Sequence, residues 1–273
     1  MAENLKVKAY RFIRNGLIQG RWSQGEIYST VKIAKNMGMS LAPVREAIVQ
    51  LETEGLIEKV ENYGVRLKRL NREEFCDLFD VREAMETQAA ILAVQRANDS
   101  EVQELRGIFA KQRQVIQALH KQGFSSNVGV LSEESHQYDI EFHLFMVAMA
   151  RSRQILKILT DMHILNQVTR SRGMLPGVTY ENYQANVIRF HYRILRGLEN
   201  RDEAEAEYWT RRHIRHAREY HLALYDYTHK NTSHQAVFAE EIDWSSRVLG
   251  RISRLESDIS SQGKHDSHSS DSE

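Results

Sequence analysis

Residues 36 to 57 read Asn-Met-Gly-Met-Ser-Leu-Ala-Pro-Val-Arg-Glu-Ala-Ile-Val-Gln-Leu-Glu-Thr-Glu-Gly-Leu-Ile, a turn, a capped helix and a glycine stop in close succession. The Ser40 hydroxyl can accept an orphan backbone N–H at an N-cap, and Pro43 in the first turn loses nothing by lacking its own N–H. Val44, Ala47, Ile48 and Leu51 fall at i, i+3, i+4 and i+7, so one face buries while Arg45, Glu46, Val49 and Gln50 look elsewhere. Gly55 is placed to end the helix. Leu56 and Ile57 begin an extended run, and Asn62-Tyr63-Gly64 turns it back into Val65-Arg66-Leu67. A helix followed by a short hairpin is the layout of a winged helix-turn-helix. Upstream, Val7, Ile13, Leu17 and Ile18 predict one side of a first helix. Ser29-Thr30 can cap a second carrying Ile33, Ala34 and Met37, with Gly38 as the tight turn before the reading helix.

Charge points the same way. The chain has 273 residues and equal numbers of basic and acidic side chains, but residues 1–72 hold 13 Lys and Arg against 7 Asp and Glu. That segment therefore carries +6 and the remainder −6. Positive charge gathered on the helix-turn-helix is the footprint of phosphate binding. Lys6, Lys8, Arg11, Arg14, Lys32 and Lys35 are the phosphate candidates. Arg45 is the candidate to donate two bonds to a guanine edge, and Tyr63 and Arg66 are placed to approach the minor groove from the wing. The same residues would also suit a small module that only packs against the rest of the protein, a reading that leaves the basic charge unexplained.

At this point the chain resembles the GntR family of bacterial transcription factors. The family pattern is close to Gly-Val-Ser-Arg-Thr-Pro-Val-Arg-Glu-Ala-Leu, and the chain reads Gly38-Met39-Ser40-Leu41-Ala42-Pro43-Val44-Arg45-Glu46-Ala47-Ile48. Leu41 and Ala42 depart from it, removing two donors where the family has Arg and Thr facing DNA. The resemblance implies that Ser40, Pro43, Arg45, Lys6, Lys35, Tyr63, Gly64 and Arg66 form the DNA-binding surface, with an operator that differs from the usual one.

Beyond Arg69, polar and apolar residues alternate with helical period, predicting helices over 72–97, 100–122, 132–150, 152–171, 180–199 and 202–229. The breaks fall at Asn98-Asp99-Ser100, from Gly123 to Gly129, from Gly173 to Gly177, and at Asn200-Arg201-Asp202. The expected fold is mainly α: an N-terminal winged helix-turn-helix over 1–70, then an all-helical antiparallel bundle over 71–230. Residues 231–273 are expected to add one helix, Val237 to Leu255, and a Ser-, Asp- and His-rich disordered tail. A single cysteine, Cys76, excludes a disulfide framework within the chain and favours a reducing compartment. No apolar stretch approaches a membrane span, so the expected location is the cytoplasm, with no membrane partner.

Within the bundle, Asp139 and His143 stand at i and i+4 and project from one helical face. His191 and His213 flank the turn at Asn200 to Asp202, about 12 Å before it and about 16 Å after it along their helices, so an antiparallel hairpin brings them to similar depth. His136 and His216 occupy nearly the same stripes as His143 and His213 and remain alternatives on spacing alone. Three imidazoles and a carboxylate suit zinc, nickel, manganese or iron.

This region is similar to the all-helical C-terminal domain, called FCD, of the FadR subfamily within GntR. The matching residues are Asp139-Ile140-Glu141-Phe142-His143, His191-Tyr192-Arg193-Ile194, the turn Asn200-Arg201-Asp202, and His213. The resemblance implies a divalent metal, zinc first among candidates, on Asp139, His143, His191 and His213. It further implies that Arg82, with Glu86 four residues on in Asp80-Val81-Arg82-Glu83-Ala84-Met85-Glu86, takes part in binding a small carboxylate effector, with Asn166 and Arg170 as weaker candidates. A surface ion pair between Arg82 and Glu86 is the plainer reading of that spacing. Arg172 is a weaker effector candidate. A homodimer on a double-stranded DNA operator follows from the family and from operator symmetry.

Three other functions fit parts of the pattern. A metalloenzyme could use the open metal position, although Glu141 lies on another face from His143 and no general base joins the set. A metal-free regulator of acyl thioesters would lack the histidine set. A metal sensor proper would respond to the ion itself. The sign of regulation does not follow from any residue pattern.

Overall fold

The computed structural model describes residues 4–18, 22, 26–121, 128–169, 175–178 and 180–230. The N-terminal unit contains α1 (Leu5–Ile18), α2 (Thr30–Asn36), α3 (Leu41–Thr53), β1 (Ile57–Val60) and β2 (Gly64–Leu67). Its core joins Ala9, Ile13 and Leu17 of α1 to Ile33 and Ala34 of α2, to Val44, Ala47, Ile48 and Leu51 of α3, and to Leu56, Ile57, Val65 and Leu67 of the wing. The four apolar positions of α3 are its buried residues, as their spacing requires. On α1 the expectation is corrected at Val7, which is 38% exposed while Ala9 is fully enclosed. A four-residue step back from Ile13 reaches Ala9, so the small residue sits where α1 meets α3.

The wing is an antiparallel pair, Ile57 facing Leu67 and Val60 facing Gly64. Tyr28 adds a bridge on the far side through two backbone hydrogen bonds with Val65, at 2.7 and 3.0 Å. That bridge explains Gly64: its φ is +135°, and a Cβ there would lie 2.3 Å from the Tyr28 carbonyl oxygen. Asn62 takes φ 63° in the turn.

Six longer helices follow: α4 (Arg72–Arg96), α5 (Asp99–Lys121), α6 (Val128–Met149), α7 (Arg153–Thr169), α8 (Tyr180–Glu199) and α9 (Glu203–Lys230). Helix α6 starts four residues before its expected start and runs through Gly129, a tolerable interruption at roughly 1 kcal/mol relative to alanine. The expected helix 237–255 and the tail lie outside the described residues.

Local chemistry marks the starts. The Asn71 side chain accepts from Glu74 N–H while Glu74 accepts from Asn71 N–H, a reciprocal cap that begins α4. Asn98 and Glu101 do the same for α5. Ser40 and Ser29 occupy the N-cap positions of α3 and α2 with extended backbones, but neither hydroxyl makes the expected cap hydrogen bond. Position alone was legible there, because the rotamer that closes the cap competes with others the sequence does not fix.

Helix α4 is the centre of the bundle, packing against α6, α7, α8 and α9. Its buried residues therefore include Phe75 and Phe79 toward α9 and Ala90, Ala93 and Val94 toward the main core of α5, α6 and α8. Helices α8 and α9 close tightly at their shared turn. A Cβ at Gly197 would meet the Ala206 backbone nitrogen at 2.6 Å, so only glycine allows this approach. Arg201 turns the chain at φ 56°, and Asp202 accepts from Glu205 N–H to start α9.

Candidate metal centre

Asp139 and His143 leave α6, His191 leaves α8 and His213 leaves α9, and one donor atom from each lies within 4.8 Å of all the others. His143 Nε2 is 2.9 Å from His213 Nε2 and 3.3 Å from His191 Nε2, and Asp139 Oδ1 is 3.4 Å from His191 Nε2. Metal–nitrogen bonds of about 2.0–2.1 Å at tetrahedral angles put neighbouring donors roughly 3.3 Å apart, and right angles bring them to about 3.0 Å. These three spacings fit those distances. All three rings are buried, whereas the Asp139 side chain keeps 24% exposure.

The outward ring atoms decide which nitrogen faces the centre. His191 Nδ1 lies 2.7 Å from Gln112 Oε1 on α5, so with the proton on Nδ1 it donates to that carbonyl and leaves Nε2 as the inward lone pair. Phe142 stacks on the same ring at 4.1 Å with an 8° interplanar angle. His143 Nδ1 lies 2.7 Å from Glu86 Oε2, a close contact that is off-axis for a linear hydrogen bond. The His213 ring stacks on His143 at 4.8 Å, and its Nδ1 is buried without a partner. His216, the alternative on spacing, packs instead against Tyr183 and Phe190.

Electrostatics favours ligand-competent forms. Burial pushes His191 and His213 well below the usual imidazole range, and the charge of a protonated His143 would lower both further. Burial raises the Asp139 carboxyl, with His143 and Arg82 opposing. Burial alone would raise Glu86 too, but Arg82, His143 and His163 outweigh it and hold that carboxylate well below its ordinary value. Neutral imidazoles with inward lone pairs repel one another unless a cation sits between them, so the donor set fits a bound metal.

Arg82 and Glu86 are a buried pair, not a surface one: Arg82 Nε donates to Glu86 Oε1 at 2.8 Å, with side chains 6% and 0% exposed. Helix α7 adds a residue that the sequence reading missed. His163 Nε2 lies 3.3 Å from Glu86 Oε1, and burial lowers this imidazole from 6.5 to about 4. Gln112 was missed as well. Both carried a signal, since each is a polar side chain on an otherwise apolar stripe: Leu105, Ile108, Phe109 and Val115 surround Gln112, and Leu156 and Leu159 precede His163. Asn166 lies on α7, but its side chain, like Arg170 and Arg172, lies outside the described residues.

On the N-terminal unit Ser40, Ala42, Arg45 and Lys35 are exposed, Lys6 and Pro43 are half-buried, and Tyr63 is 71% exposed at the wing tip. Arg66 is paired with Glu58 across the hairpin. Arg14 does not stand free for phosphate: its Nη2 meets Asp161 Oδ1 of α7 at 3.2 Å, with side chains 14% and 17% exposed.

Residues 5–67 match the bacterial regulatory proteins of the gntR family, and residues 77–216, half of the chain, match the FCD domain. The chain belongs to the GntR family. It joins the helix-turn-helix domain of the gntR regulatory proteins to an FCD domain. It is 29% identical over 133 residues to the Nta operon transcriptional regulator of Aminobacter aminovorans, covering 49% of this chain and 58% of that one. Another relative is the HTH-type transcriptional repressor GlaR of Escherichia coli, 31% identical over 90 residues, 33% of this chain and 41% of that protein. The chain thus spans about half the length of these two curated relatives. The uncharacterized regulator YdhC of Bacillus subtilis is 22% identical over 76% of this chain and 86% of its own. Among solved structures, E. coli McbR/YncC shares the fold with a TM-score of 0.63 at 15% identity, covering 83% of this chain and 99% of that one. Among the described residues, no helix is long and apolar enough to cross a membrane.

Proposed function

We propose that this GntR regulator binds a divalent metal, zinc first, on Asp139, His143, His191 and His213, and binds a small carboxylate effector beside it. The convergence of the four donors within 4.8 Å carries the reading. A bound zinc supplies a Lewis-acidic positive charge that holds oxygen ligands. Gln112 and Glu86 orient two of the rings, and Asp139, the partly exposed ligand, stands on the side from which an effector enters. Arg82 keeps Glu86 ionised and contributes the remaining positive charge of the chamber; Asn166 and Arg170 complete the proposed effector set.

The protein works as a cytoplasmic homodimer, with the winged unit ending near residue 70 and the bundle near residue 230. Two reading helices enter successive major grooves, Arg45 reads a base edge, and Ser40, Pro43, Lys6, Lys35, Tyr63, Gly64 and Arg66 hold backbone and wing. Two relatives, the repressor GlaR and a probable D-xylose utilization operon transcriptional repressor of Paenarthrobacter nicotinovorans, are repressors by name, which supports repression as the sign of control.

Elemental analysis of protein purified without a histidine tag tests the centre. About one equivalent of zinc, lost in the double variant His143→Ala, His191→Ala, is the expected result. No metal in the parent, or full retention in the variant, removes the site.

A further inference from the structure

Helix α7 lies between the candidate metal centre and the winged unit. His163 and Asp161 are two residues apart on it, so their side chains leave nearly opposite faces of the helix. On the inner face, His163 Nε2 is 3.3 Å from Glu86 Oε1, and the other oxygen of that carboxylate is 2.7 Å from His143 Nδ1. On the outer face, Asp161 Oδ1 is 3.2 Å from Arg14 Nη2 of α1, and its second oxygen takes Lys157 at 3.1 Å.

The contacts continue into the reading helix. One turn before Arg14 on α1, the Tyr10 hydroxyl donates to Glu54 Oε2 at 2.8 Å, and Glu54 is the C-cap of α3. Gln50 within α3 donates to the same carboxylate at 3.1 Å. Burial raises the Tyr10 phenol above its ordinary value, which keeps it a donor. Rigid pieces thus alternate with polar contacts from the centre to the helix that carries Arg45.

We propose that α7 is the lever of this regulator: occupancy of the metal centre is transmitted through His143, Glu86 and His163 to α7, and through the Asp161–Arg14 ion pair to α1 and the reading helix. The inference rests on the metal reading above and deepens it. With an ion held at the centre, the His143 Nδ1–H would become a stronger donor toward Glu86 Oε2, and His163 would have to share that carboxylate with it. The imidazole is rigid and the α7 backbone is hydrogen-bonded, so the inner shift moves the helix as a body. Arg14 follows because its guanidinium is largely enclosed, with a buried Nε that has no other partner.

Spatial order alone does not establish coupling, and a two-state response must be read at both ends. Hydrogen–deuterium exchange of the full chain, metal-free and with zinc alone as probe, supplies both readings. In the parent, zinc is expected to slow exchange in α6, α8 and α9, which carry the ligands, and to change exchange in α1 and α3 on the order of fivefold. In Asp161→Asn, and separately in Arg14→Gln, the α6, α8 and α9 response persists, showing a folded and loaded bundle, while the α1 and α3 response disappears. A response of α1 and α3 that survives both variants overturns the lever. So does a parent in which α6, α8 and α9 respond and α1 and α3 do not. If zinc leaves α6, α8 and α9 unchanged in the parent, the metal reading itself fails and the lever falls with it.

Discussion

The winged unit and the bundle bury different chemistry. Among the described residues, every buried charged or polar side chain from Arg82 to His213 belongs to the bundle, which encloses an arginine, two glutamates, two glutamines and four histidines. The core of the winged unit is apolar throughout, from Ala9 to Leu67. The charge budget is reversed at the surface, where the N-terminal segment of 72 residues carries +6 and no histidine, while all 12 histidines of the chain lie beyond it. A surface that reads DNA needs exposed cations over a core that stays the same whatever the solution conditions. A chamber that senses a ligand, the role proposed for the bundle, needs buried groups whose state the ligand can change, and such groups are costly to bury unless paired or liganded.

The largest expected effect on this contrast comes from testing the proposed metal by chelation. Chelation is expected to destabilise the bundle by about 4 kcal/mol relative to protein held at a thousandfold excess of zinc over its Kd, and to leave the winged unit much less affected. Thermal unfolding followed by limited proteolysis and mass spectrometry resolves the two regions. An equal shift in both, or none in the bundle, would break the comparison.

Acid gives the next largest effect, in metal-free protein. His163 titrates near 6.5 when exposed and at about 4 when buried, so between those values the unfolded chain binds a proton that the native bundle refuses. Stability therefore falls as pH drops from about 6.5 toward 4, by about 3 kcal/mol for this residue, and the lowered His191 and His213 act in the same direction. Urea titrations at pH 7 and pH 5 measure the loss. His163→Gln should flatten part of the slope, and an unchanged slope would assign the acid sensitivity elsewhere.

The smallest effects belong to the winged surface and sharpen the comparison because they leave the fold intact. Arg45→Ala should relax base preference, a loss of roughly 1–3 kcal/mol of discrimination at one position. Lys6→Ala should weaken binding evenly across sequences and reduce the salt slope by about one. Binding assays on a selected operator across a salt series separate these outcomes, and no change in either variant would move the DNA-binding face.

The α3 stripe, the Asn62-Tyr63-Gly64 turn, the extents of most bundle helices and the depth match of His191 and His213 follow from local spacing, and local spacing is written in the sequence. Long-range partners are not. That Ala9 rather than Val7 faces α3, that Gly64 makes room for Tyr28, and that Gly197 lets α9 approach α8 are properties of which helix lies opposite. Arg82 and Glu86 show the limit most plainly, since an i,i+4 pair looks alike on a surface or in a core, and only the packing of α4 among four other helices buried it. Arg14 likewise reads as a free basic residue until α7 brings Asp161 to it. Periodicity and capping chemistry therefore determined the elements and the stripes that carry Asp139 and the three histidines, whereas tertiary structure decided which polar groups meet, because their partners lie tens of residues away and burial fixes the strength of each contact.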